Sequence, residues 1–216
     1  MIQKIGVIGA GQMGNGIAQV AACAGYDVVM VDIKDEYVEK GLGTIQFSLG
    51  KLVSKERMTQ QDADSALARI VTGTDRSACA DCDLVVEAVP EILELKTSIF
   101  SELDALCKPE TILASNTSSI SITTIAQATQ RPDRVIGMHF MNPVPIMKLV
   151  EVINGDATSE STNAAVNEAA ETMGTIALSC NDAPGLVSNR ILFPMPKAPI
   201  LTLPDGGAQR RRITRI

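Results

Sequence analysis

The stretch IGVIGAGQMGNGIA, residues 5–18, limits what this 216-residue chain can fold into more than any other segment. Glycine weakens strands and helices, so three at fixed spacing (Gly9, Gly11 and Gly14) need a specific reason. An apolar strand pattern, KIGVIG, leads into them, and a helical pattern follows. In such a strand–turn–helix unit Gly9 permits the tight turn, Gly11 lets the backbone approach a pyrophosphate, and Gly14 lets helix and strand pack closely. The start of the helix, at Gln12 and Met13, then offers N–H groups and a partial positive charge to phosphates. VVMVD ends on Asp32, 21 residues after Gly11. A carboxylate there accepts hydrogen bonds from the adenosine ribose hydroxyls. It also repels a 2′-phosphate, which favours NAD over NADP. Lys34 nearby keeps NADP open.

The rest of the chain continues the alternation. Strands are predicted at 4–9, 26–32, 69–74, 83–89, 111–116, 134–140, 148–153 and 175–180. Helices are predicted at 12–25, 36–54, 60–67, 92–106, 121–127 and 159–173. The early strands are continuous apolar runs, which suits a parallel sheet covered on both faces. An apolar fraction of 45% can fill the core, and a net charge of −6 argues against nucleic acid as a partner. No apolar run is long enough to span a bilayer, and no signal peptide pattern opens the chain. Five cysteines, an odd count without secretory features, read as reduced thiols in a cytoplasmic protein. Cys79 and Cys82 form a CxxC with no second pair, which speaks against zinc and gives little support to a redox role. Cys23 and Cys107 are expected in the core. No metal site is expected.

One histidine, His139, stands in GMHFMNPVP at the end of a predicted strand, where open α/β sheets bind ligands. Twelve residues on, Glu151 lies in the apolar strand KLVEVI. A carboxylate there needs a partner. If the intervening loop turns the chain back, Glu151 meets His139 and holds its imidazole in one tautomer, ready to exchange a proton with an alcohol.

VIGAGQMGNGIA, DLVVEAVPE, SNTSSI, HFMNPVPIMKLVE and PGLVSNR together resemble the 3-hydroxyacyl-CoA dehydrogenases, in family order and spacing over residues 1 to about 195. The resemblance implies a Rossmann-type, doubly wound α/β fold with a mostly parallel sheet and an inserted helical hairpin. It implies reversible hydride transfer between the C3 carbon of an L-3-hydroxyacyl-CoA and NAD. His139 would be the general acid/base and Glu151 its orienting partner. Ser118 and Asn189 would hydrogen-bond the reacting oxygen. Glu91, Lys96, Ser118 and Asn142 would join the glycine turn and Asp32 in holding the cofactor. Ser48 and Lys55, seven residues apart, would bind coenzyme A. Family members form homodimers through a helical C-terminal domain.

The expected organisation is a dinucleotide-binding domain over 1–183, the start of a helical domain over 184–195, and an atypical tail over 196–216. That tail carries five basic residues and one acid, with prolines and a Gly-Gly that interrupt regular structure. The loss of helical periodicity near Met195 suggests a shifted reading frame and a truncated C-terminal domain. Lower turnover with an intact cofactor site is the expected consequence.

Overall fold

The computed structural model describes residues 2–183 and Arg190. The chain divides into two units, Met1–Asp182 and Ala183–Ile216, and the strands and helices whose bounds are described lie in the first. The expected domain pieces 184–195 and 196–216, and with them Asn189, lie outside the described residues apart from Arg190.

Among the described residues eight strands form one sheet: β1 Lys4–Ile8, β2 Asp27–Val31, β3 Ile70–Gly73, β4 Leu84–Glu87, β5 Ile112–Ser115, β6 Val135–Phe140, β7 Leu149–Asn154 and β8 Ile176–Asn181. Six helices accompany them: α1 Gln12–Cys23, α2 Asp35–Ser54, α3 Gln60–Ala68, α4 Leu93–Leu106, α5 Ile122–Ala126 and α6 Glu160–Thr172. Each corresponds to a predicted element. The spatial order is β3-β2-β1-β4-β5-β6-β7-β8. All neighbours are parallel except β6 and β7. The order reverses between β1 and β4, which creates a crevice at the carboxyl ends of those strands.

The central strands are apolar on both faces because helices cover both. β4 and β5 are buried along their whole length. The edge strand β8 has no buried residue, and Ile176 and Leu178 are exposed on it. The α2–α3 hairpin is inserted between β2 and β3 and packs on α1. Side-chain caps from Thr59, Ser121 and Ser159 start α3, α5 and α6. α1 starts differently. Gly11 is its N-cap, no side chain caps it, and its first turn carries no acid.

Cys79, Cys82 and Cys107 are buried, but Cys23 is exposed rather than in the core. α1 stops at Cys23 instead of continuing to residue 25, and its last position faces outward. Among the described residues no helix is long and apolar enough to cross a membrane.

Candidate active site

The glycine turn is built by contact. Gly9 has φ +104°, a conformation that side chains rarely adopt. A Cβ on Gly14 would lie 1.7 Å from the Gly9 carbonyl oxygen. Around Gly11 the space is open, with nothing within 4 Å of where a Cβ would be. The first α-helical bond here is Asn15 N–H to Gly11 O, so the N–H groups of Gln12, Met13 and Gly14 have no intrahelical partner. Met13 packs its side chain against the core, which leaves its backbone to face a ligand. Asn15, which sequence reasoning missed, ties the turn by donating from Nδ2 to Gly11 O at 2.6 Å. Gly14→Ala is expected to cost about 1–3 kcal/mol of stability through overpacking. It should also weaken NADH binding, measured by urea unfolding and nucleotide titration.

Asp32 follows β2 and fixes the far side of the turn. Its Oδ2 accepts from Ala10 N–H and its Oδ1 from Ile33 N–H, each at 2.7 Å. A cavity of about 700 Å³ opens here, lined by Gly9, Gly11, Gln12, Asp32 and Pro90 among others. A recess of about 350 Å³ shares Gly9, Asp32 and Ile33 with it. Open space at Gly11, an uncapped helix start and a carboxylate at the cavity wall fit a dinucleotide.

A second cluster of polar residues lies four strands away from Asp32. β6 and β7 pair antiparallel, and the register sets His139 directly opposite Glu151. His139 Nδ1 lies 2.7 Å from Glu151 Oε2. Glu151 is fully buried and His139 is 8% exposed. An ionised carboxylate only accepts, so Nδ1 donates in this contact and Nε2 is the ring nitrogen left to exchange a proton. Ile8, Glu87, Ser115 and Gly137 are level across β1, β4, β5 and β6. His139 therefore stands at the carboxyl edge beside the segments that follow β4 and β5. Asn116, also missed, fixes that junction by accepting the Phe140 N–H at 2.9 Å.

Beneath this edge lies a polar network that runs from buried Glu87 and Lys96 out to exposed Glu91 and Ser119. Glu87, which is fully buried, takes Lys96 Nζ and Val89 N–H on Oε1 and the Ser115 hydroxyl on Oε2, each at 2.7 Å. Glu91 Oε1 accepts from Ser118 N–H, Ser119 N–H and the Ser119 hydroxyl, each at 2.9 Å, and from the Thr117 hydroxyl. Burial pushes the Glu91 carboxyl up. The Thr117 hydroxyl, the Lys96 charge, the Ser119 hydroxyl and the Ser118 N–H outweigh it and hold the pKa at about 2. Lys96, 1% exposed, is 2.7 Å from Glu87 and 3.4 Å from Glu91. The structure thus puts Lys96 under the cleft rather than in it. Its ammonium is occupied by the two carboxylates and the Val89 carbonyl.

The remaining expected residues divide. Asn142 accepts from Gln12 Nε2 at 3.1 Å, which joins the loop after β6 to the first turn of α1. Both line a cleft of about 220 Å³ with Ser48 of α2. Lys55 is exposed at the end of α2, about two helical turns beyond Ser48. Ser118 is half-buried in the loop after β5, on the His139 side of the crevice.

This geometry has close counterparts. A "Probable 3-hydroxybutyryl-CoA dehydrogenase" of Deinococcus radiodurans is 54% identical over 210 residues, covering 97% of this chain and 75% of that protein. A protein of the same printed name from Bacillus subtilis is 48% identical, covering 100% and 75%. That match runs through the tail, past residue 195, where the sequence reading ends the likeness. About a quarter of each relative has no counterpart in these 216 residues. The crystal structure of (S)-3-hydroxybutyryl-CoA dehydrogenase from Ralstonia eutropha superposes with a TM-score of 0.95 at 46% identity, covering 98% of this chain and 75% of that one. The family description "3-hydroxyacyl-CoA dehydrogenase, NAD binding domain" matches residues 4–183, the span that holds the glycine turn, Asp32 and the His139–Glu151 pair. With likeness of this extent in sequence and in fold, the chain belongs to the 3-hydroxyacyl-CoA dehydrogenase family through its NAD-binding domain.

Proposed function

We propose that this chain is an NAD-dependent oxidoreductase that interconverts L-3-hydroxybutyryl-CoA and acetoacetyl-CoA. The observation that carries the reading is the buried His139–Glu151 pair, 2.7 Å apart at the carboxyl edge of the sheet. NAD, when bound, supplies the hydride acceptor in oxidation and, reduced, the donor in the reverse direction.

The chain's own residues handle the proton. Glu151 holds Nδ1–H, so His139 Nε2 takes the proton from the C3 hydroxyl in oxidation and returns it in reduction. Ser118 and Asn189 donate hydrogen bonds to the C3 oxygen as its charge changes. Asp32 binds the ribose hydroxyls, and the start of α1 faces the pyrophosphate. Asn142 and the loop braced by Glu91 border the nicotinamide. Lys96 supports them from below. Ser48 and Lys55 hold the coenzyme A portion, Lys55 as a flexible point charge for a phosphate. A cytoplasmic location belongs to the same proposal.

The deciding experiment follows NADH consumption with acetoacetyl-CoA beside a direct NADH binding titration. Turnover with saturable acetoacetyl-CoA is expected. Binding of NADH without turnover leaves a nucleotide-binding protein and refutes the dehydrogenase reading.

A further inference from the structure

At the β2–β3 end of the crevice, an ion pair forms part of the recess wall. Arg76 opens the short 3-10 turn Arg76–Cys79 that follows β3. Its guanidinium lies 2.6 Å from Glu102 Oε2 on α4. Arg76 lines both the larger cavity and the smaller recess, and Glu102 lines the recess. The Arg76 side chain is 25% exposed and that of Glu102 is 42%. The recess also holds the carboxylates of Asp32 and Asp75. The recess lining thus counts three acids and one cation, of which Glu102 touches Arg76, while Asp32 and Asp75 accept backbone N–H groups. Lys34, the residue that keeps NADP open in the sequence, sits with Nζ 5.6 Å from the ring centroid of Tyr37, which lines the larger cavity together with Lys40; neither lysine lines the recess.

His139 marks the reacting end at β6, so the recess at β2 and β3 receives the opposite, adenosine end of the dinucleotide. This placement rests on the cofactor reading above. We propose that the Arg76–Glu102 pair determines which dinucleotide the recess accepts. Arg76 is the cation lining the recess itself, and a guanidinium fits phosphate oxygens with two donors at once. Glu102 engages Nη1 of that fork and offsets its charge. The surplus carboxylates then repel a 2′-phosphate, and the ribose hydroxyls fall to Asp32. The guanidinium plane remains a surface on which an adenine can stack. Selectivity here comes as much from what the pair withholds as from what Asp32 offers.

The test measures NADH and NADPH dissociation constants with the full chain, using the emission of the reduced nicotinamide. The chain has no tryptophan to interfere. The wild type is expected to prefer NADH. Glu102→Gln should tighten NADPH binding by about fivefold, the size of a partly exposed ion pair, with NADH changed by less than about twofold. High salt should erase that gain. Arg76→Gln should weaken NADH modestly, and Arg76→Gln combined with Glu102→Gln should show no NADPH gain. An unchanged NADPH affinity in Glu102→Gln, or a gain that persists without Arg76, overturns the proposal alone. Failure of the folded wild type to bind either nucleotide overturns the cofactor reading as well.

Discussion

His139→Gln is expected to lower kcat for acetoacetyl-CoA reduction by about three orders of magnitude, while NADH affinity stays within about twofold. Glutamine still hydrogen-bonds the Glu151 carboxylate, so the buried acid keeps a partner. What it lacks is a proton that can leave and return. The loss should therefore fall on kcat rather than on binding, as for a group that acts in the transition state. His139 and Glu151 face each other across β6 and β7, four strands from Asp32 in the order β2-β1-β4-β5-β6, so the substitution should not disturb the adenosine end. Steady-state kinetics and a nucleotide titration on the same preparation check this. Equal losses in turnover and in NADH affinity would make His139 a structural residue and remove it from the chemistry.

His139–Glu151 was legible because it follows from a local rule. A carboxylate in an apolar strand must find a partner, and here one nearby histidine was available. The same rule applied to DLVVEAV exposes Glu87, which sequence reasoning passed over although its strand is just as apolar. Its partner Lys96 lies nine residues on, one turn into α4. Asn116 and Asn15 gave no comparable signal, since small polar residues at strand ends and helix starts have many uses. Lys96 illustrates another limit. The resemblance brought it to the cofactor, but only the fold reveals that two carboxylates and a carbonyl occupy its ammonium. Continuous apolar runs made the strands readable, and the glycine motif fixed the β1–α1–β2 unit. The antiparallel return of β7 depended on a loop whose turn no periodicity specifies. Cys23 was misjudged because helix ends are set by local geometry, and a residue at the last position can face either way.

Lys96→Met should destabilise the fold by about 3–5 kcal/mol at neutral pH, because it leaves a buried carboxylate without its counter-charge. Methionine matches the lysine stem in shape, so little of the loss comes from packing. Glu87 bears most of it: fully buried, it would retain only the Val89 N–H and the Ser115 hydroxyl. Glu91 is partly exposed and keeps its bonds from the 117–119 loop. Urea unfolding reads the difference, and a midpoint equal to wild type would show that the pair adds nothing. Acid gives a second view. Folding lowers the Glu91 pKa from 4.5 to about 2, so the stability it contributes is present above about pH 4.5 and is lost as pH falls toward 2. Glu91→Gln should accordingly flatten the acid side of the stability profile in that window and lower stability at neutral pH. It should also loosen Ser118 and Ser119, whose N–H groups share Oε1, and so weaken NADH binding. A profile with an unchanged slope between pH 4.5 and 2 would mean that the loop is held by Thr117 and the backbone rather than by this carboxylate.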